Sequence, residues 1–128
     1  MKEVSPDKLT HLAGPALRAF FRIAERWSMD QNEQMAALGI ASPELLQSWQ
    51  EGRATDFSQD TLQRISLTLG IFKAINILIP VPKLADRWIR AANDHPLFEG
   101  RSAMSNIATG KLEELIAVRR YLDAELYS

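Results

Sequence analysis

Helix punctuation constrains this chain more than any other feature of its sequence. Prolines and small polar residues stand where helices can begin, glycines stand where they can end, and apolar residues between them recur three and four positions apart. Alternation of apolar and polar residues, the mark of a half-buried strand, is absent over any useful length, so the expected fold class is all-α. The first helix is expected over residues 15–27, begun by Pro15, with Leu17, Phe20, Phe21, Ala24 and Trp27 on one face. A second is expected over 30–38, where Asp30 and Glu33 have the spacing of a capping box and Gly39 suits a left-handed stop. A third is expected over 43–50, capped by Ser42, begun by Pro43 and ended by Gly52.

Ser58 caps a longer apolar helix over 59–79, carrying Leu62, Ile65, Leu69, Phe72 and Ile79, with Gly70 as a point of weakness inside it. Pro80 and Pro82 stop it. Further helices are expected over 83–93, burying Leu84, Trp88 and Ile89, over 102–109 before Gly110, and over 111–126. Pro80-Val81-Pro82 is the best boundary: residues 1–80 would form a helix-turn-helix unit and 81–128 a second, small helical domain.

Charge narrows the function classes. The 128 residues hold 15 Lys and Arg against 16 Asp and Glu, a net charge of −1, which excludes a protein that coats nucleic acid through bulk positive charge. There is no cysteine, hence no disulfide scaffold, thiol nucleophile or Cys-ligated zinc. No secretory signal is visible, and the most apolar stretch, 71–81, is too short for a membrane span, so a cytoplasmic location is expected. His11 and His95 lack paired ligand spacing, and no nucleophile elbow or phosphate-cradling loop is present. No metal, cofactor or catalytic residue is expected.

Residues 30–52 have the layout of a helix-turn-helix. Gly39 permits the tight turn, and Leu38, Ile40 and Leu45 would wedge the two helices so that the second can enter a major groove. An ordinary αα-corner has the same layout. The candidate DNA-reading residues are Ser42, Glu44, Gln47, Ser48, Gln50 and Arg53. Gln can read adenine bidentately, but the helix itself carries no Lys or Arg. Residues 15–60 hold four basic side chains against seven acidic ones, so a monomer should bind DNA weakly and gain from dimerisation. Trp49, late on that helix, is expected to pack inward.

The segment 93–102 places Leu97 and Phe98 between Pro96 and Gly100. These side chains either fold back onto Trp88 or project as a binding knob. Arg101 can serve as a fork-like donor to a partner carboxylate, and Arg119, Arg120, Tyr121 and Asp123 form a polar, aromatic stretch suited to a partner.

The run Leu62-Gln63-Arg64-Ile65-Ser66-Leu67-Thr68-Leu69-Gly70-Ile71-Phe72-Lys73-Ala74 resembles the central helix of the Xre/MbcA/ParS-type antitoxins. Ala85-Asp86-Arg87-Trp88-Ile89-Arg90, then His95 to Ala103, then Gly110, then Ala117 to Ala124, follow the order and spacing of that family's toxin-binding domain. The resemblance covers about residues 15–126. It implies an antitoxin whose helix-turn-helix binds its own operator and whose C-terminal part covers the active-site cleft of a RES-domain, NAD-consuming toxin. It also implies a homodimer. The toxin-facing residues it implies are Trp88, Leu97, Phe98, Arg101, Ser102, Arg119, Tyr121, Leu126, Tyr127 and Ser128. Two departures stand out: Glu99 replaces the first of the two glycines that commonly precede the loop arginine, and the recognition helix lacks basic residues. Two other classes fit the same residues. One is a stand-alone transcriptional regulator with a C-terminal dimerisation or sensing half, and the other is an interaction protein whose helix-turn-helix does not bind DNA.

Overall fold

Seven helices and no strand make up the described part of the chain, residues 4–128, in a computed structural model. In order they are α1 (Pro6–Arg26), α2 (Gln31–Leu38), α3 (Pro43–Gln50), α4 (Gln59–Leu78), α5 (Pro82–Trp88), α6 (Ala103–Ile107) and α7 (Leu112–Leu126). Helix α4 is the axis of the molecule. It packs most extensively against α7 and α1, and also meets α2 and α5. Its buried residues include Ile65, Thr68, Ile71, Ala74 and Ile75, surrounded on several sides rather than along one stripe. One apolar core runs from Leu17, Phe20 and Trp27 of the N-terminal part through α4 to Ile89, Met104, Leu115, Val118 and Leu122.

Local chemistry sets most of the boundaries. The Asp30 carboxylate accepts from the Glu33 amide at 2.7 Å while the Glu33 carboxylate accepts from the Asp30 amide at 3.0 Å, completing the capping box. Ser42 and Ser58 accept from the amides of Leu45 and Thr61 and start α3 and α4. Gly39 ends α2 in the left-handed region, at φ +73°.

Three expectations about the helices need correction, those for α1, α5 and α6, while α4 appears as the single helix expected. Helix α1 begins at Pro6, nine residues before Pro15, because Ser5 caps it and accepts from the Lys8 amide. Pro15 lies inside the helix, where its ring costs a backbone donor without ending the element. Helix α4 runs unbroken through Gly70, whose bare backbone faces Arg119: a Cβ there would lie 1.5 Å from Arg119 Nη1. Helix α5 stops at Trp88, because the Ile89 carbonyl turns to accept from the Met104 amide at 2.8 Å. Ile89 is buried as expected, but Leu84 is not. Ala85 and Ile89 point inward, while Leu84 is 48% exposed. Helix α6 occupies only Ala103–Ile107.

Two arginines tie the helix-turn-helix to the rest of the chain. Arg64, 9% exposed, donates from Nε to Asp60 and from Nη1 to the carbonyls of Ala36 and Gly110. Thr61 donates to the Leu38 carbonyl at 3.0 Å, so α4 satisfies two carbonyls at the C-terminal end of α2. Arg90 donates to the carbonyls of Trp27 and Ser28 and, through two nitrogens, to the Glu33 carboxylate at 3.0 and 2.7 Å.

The hydrogen bonds from Arg90 hold the Glu33 carboxyl below its usual range, and the same bonds raise Arg90. A depressed carboxyl stabilises the fold above its unfolded pKa and loses that contribution as pH falls through its folded one. The melting temperature should therefore drop as pH falls from about 5 to about 3. Glu33→Gln should be less stable at neutral pH and flatten part of that drop; parallel melting curves for the two proteins would exclude this pair as a source.

Candidate DNA and partner surfaces

Helix α3 divides its residues between two duties. Leu46 and Trp49 are buried, with Trp49 Nε1 donating to the Thr55 carbonyl at 2.7 Å and its ring against Phe57, so Trp49 packs inward. Pro43, Glu44, Gln47 and Gln50 are exposed at spacings of one, three and three, and they face Gln31 and Gln34 of α2 across a shallow groove. Gln50 donates to the Gln34 side chain at 3.3 Å. The wedge behind this surface consists of buried Leu38 and Leu46 with half-buried Ile40 and Leu45.

The structure thus brings Glu44, Gln47 and Gln50 together in one groove and leaves the other candidates outside it. Ser42 caps α3, and its hydroxyl also donates to Glu44 at 3.2 Å. Ser48 is half-buried, and Arg53 is exposed but paired with Glu51. Gln31 and Gln34 were not among the sequence candidates. Their spacing of three on α2 was visible, but only the packing of α2 on α3 shows that they share a face with Gln47 and Gln50.

The C-terminal surface is built by a closed loop. Between α5 and α6, the Asn93 amide donates to the Arg101 carbonyl and the Gly100 amide donates back to the Asn93 carbonyl. Inside this ring the amides of Phe98 and Glu99 both donate to the His95 carbonyl. Glu99 and Gly100 take φ of +52° and +81°, which explains why a glycine pair suits the position. Phe98 folds back and is fully buried. It meets Trp88 and Tyr121 edge-on at 6.0 and 5.2 Å between ring centroids, while Trp88 and Tyr121 lie parallel at 6.3 Å. His95 closes the group, 4.6 Å from Tyr121.

The expectation that Phe98 faces a partner is therefore corrected: its ring shapes the loop from inside. Leu97, Trp88, Tyr121 and Leu126 are half-buried against the core. Ser102 caps α6 by accepting from the Ser105 amide, and Arg119 pairs with Asp123 at 3.1 Å beside Gly70. Arg101, Tyr127 and Ser128 remain on the surface. The Arg101 side chain is 68% exposed with only Glu99 near it, at 3.4 Å, and Tyr127 is 86% exposed. The described residues contain no grouping of three or more His, Cys, Asp or Glu that could hold a metal ion, and no helix long and apolar enough to cross a membrane.

Residues 12–70, which hold most of α1 together with α2, α3 and the first half of α4, match the antitoxin Xre-like helix-turn-helix domain. Over 121 residues the chain is 38% identical to the uncharacterized protein y4oB of Sinorhizobium fredii (strain NBRC 101917 / NGR234). That alignment covers 94% of this chain and 92% of the relative, so the likeness extends through the C-terminal loop and into α7. The chain belongs to one family with that rhizobial protein, and its own residues 12–70 match the antitoxin Xre-like helix-turn-helix domain.

Proposed function

We propose that this chain is the antitoxin of a type II toxin–antitoxin module. In this reading residues 81–128 bind a RES-domain, NAD-consuming toxin and cover its active site, while α2 and α3 bind the operator of the same operon. Both activities belong to the cytoplasm. The observation that carries the reading is the pairing of an antitoxin-type helix-turn-helix with a C-terminal half that leaves Arg101, Tyr127 and Ser128 accessible. The aromatic group under the loop supports it further. A loop braced by Trp88, Phe98 and Tyr121 loses little freedom on binding, so more of the contact energy is realised as affinity.

Operator binding is assigned to a homodimer. Ile77, Leu78, Val81 and Leu84 form an exposed apolar corner between α4 and α5, with Lys83 as the one charged side chain in residues 77–84. A two-fold contact sets each surface against its own copy, so a largely apolar corner suits it.

Co-expression with the neighbouring reading frame tests the proposal. The neighbour alone should arrest growth, and this chain should restore it. A neighbour that is harmless, or that stays toxic in the presence of this chain, refutes the reading; promoter binding with no toxin gene nearby would favour the stand-alone regulator. Arg101→Ala should weaken the toxin complex about tenfold to a hundredfold, the range of a lost charge-assisted hydrogen bond. Its melting temperature should not move, since Arg101 has only an exposed contact to Glu99.

A further inference from the structure

The acidic balance of the helix-turn-helix leaves open how it would hold a DNA backbone. Four arginines lie within residues 15–60, and the structure gives them different uses. Arg26 is committed to Asp86, with two hydrogen bonds at 2.9 and 3.2 Å, and Arg53 to Glu51. Arg18 and Arg22 have no hydrogen-bond or ion-pair partner among the described residues. They are exposed one turn apart on α1 and line a cleft of about 500 Å³ between α1 and the end of α3.

That cleft continues the reading groove. Gln50 lines both, with Gln47 and Gln34 on one side and Arg18, Arg22 and Gly52 on the other. Gly14, one turn before Arg18, gives the guanidinium room, since a Cβ there would stand 3.2 Å from Arg18 Nη1. The cleft's other charges are Glu25 and Glu51, and Glu51 is already neutralised by Arg53. The lining thus holds two guanidiniums and two carboxylates, and with Glu51 paired to Arg53 outside the cleft, Arg18 and Arg22 face Glu25 alone, beside a helix whose own exposed face carries only Glu44 as a charge.

We propose that Arg18 and Arg22 are phosphate-contacting residues, which clamp the DNA sugar–phosphate backbone beside the groove where the glutamines of α2 and α3 meet the bases. This rests on the DNA-binding half of the proposed function and deepens it. Two free guanidiniums present forked donors to phosphate oxygens, whereas neutral glutamines supply direction without long-range attraction. The arrangement separates the two tasks: α1 supplies the salt-dependent affinity that α3 lacks, and α2 and α3 supply the sequence preference.

The test measures binding of the full chain to DNA from upstream of its own reading frame and to unrelated DNA of equal length, across a salt series. Replacing both residues in one variant, Arg18→Gln with Arg22→Gln, removes the charge while keeping a polar side chain that suits a helix. Affinity should fall by about tenfold or more at low salt on both DNAs, and the slope of log K against log salt should shrink by about 2. Glu25→Gln should strengthen binding to both. The melting temperature of the double variant should match that of the parent. Unchanged affinity and slope, in a parent that binds, would overturn the assignment and leave the DNA reading standing, as would a loss confined to upstream DNA. A parent chain that binds neither DNA even at low salt would overturn the DNA reading and this assignment with it.

Discussion

Replacing Phe98 with Ala should destabilise the chain by about 3–5 kcal/mol, the usual cost of removing a fully buried aromatic ring. The ring is a central support of the 93–101 loop, because Trp88, His95 and Tyr121 all meet it. Its loss leaves a void between α5 and α7 that helices this short are poorly able to close. The left-handed backbone at Glu99 and Gly100 then has less packing to hold it. Denaturant unfolding checks the stability, and neutralisation of the toxin should fall alongside it. Phe98→Leu, which keeps most of the apolar bulk, should recover most of both. Neutralisation lost with stability intact would instead mean that Phe98 touches the partner directly.

Gly39→Ala should cost about 2–4 kcal/mol, from two causes that can be separated. One is the left-handed backbone, about 1–2 kcal/mol for any residue with a Cβ. The other is collision: the added carbon would stand 2.5 Å from Arg64 Nε and 2.8 Å from its Cδ. Arg64 is nearly buried and held by Asp60, Ala36 and Gly110, so it cannot simply swing aside. Arg64→Ala alone should cost about 2–3 kcal/mol, because the Ala36 and Gly110 carbonyls lose a charged donor. In the double variant the collision disappears and only the backbone cost of Gly39→Ala remains. The two changes should therefore couple by about 1–2 kcal/mol in a double-mutant cycle. Strictly additive costs would show that the close approach of Gly39 and Arg64 is not what the turn depends on.

The helix-turn-helix was legible in the sequence because its signals are local. The Asp30–Glu33 box, Ser42-Pro43 and Gly39 each act within one turn of backbone, and all three appear where spacing placed them. Helix α1 starts earlier than Pro15 suggests, because Ser5-Pro6-Asp7 carries the same signal nine residues before it. Ties between distant segments left no such trace. Arg64 and Arg90 bind carbonyls 28 and 63 residues away, and apolar periodicity says nothing about a buried guanidinium. The burial of Phe98 is one of two outcomes its neighbours allow, and its edge-on contacts with Trp88 and Tyr121 settle it. The free state of Arg18 and Arg22 leaves no such trace either, because tertiary packing sets which acidic side chains come within reach, and Glu51, across the cleft from them, pairs with Arg53.

The neighbouring gene product, purified and assayed for NAD consumption while this chain is titrated in, gives the most direct measure of the central proposal. Activity should fall linearly and vanish at a fixed molar ratio, with both proteins then eluting as one species. NAD turnover that continues undiminished past that ratio, or two proteins that elute apart, would contradict the account.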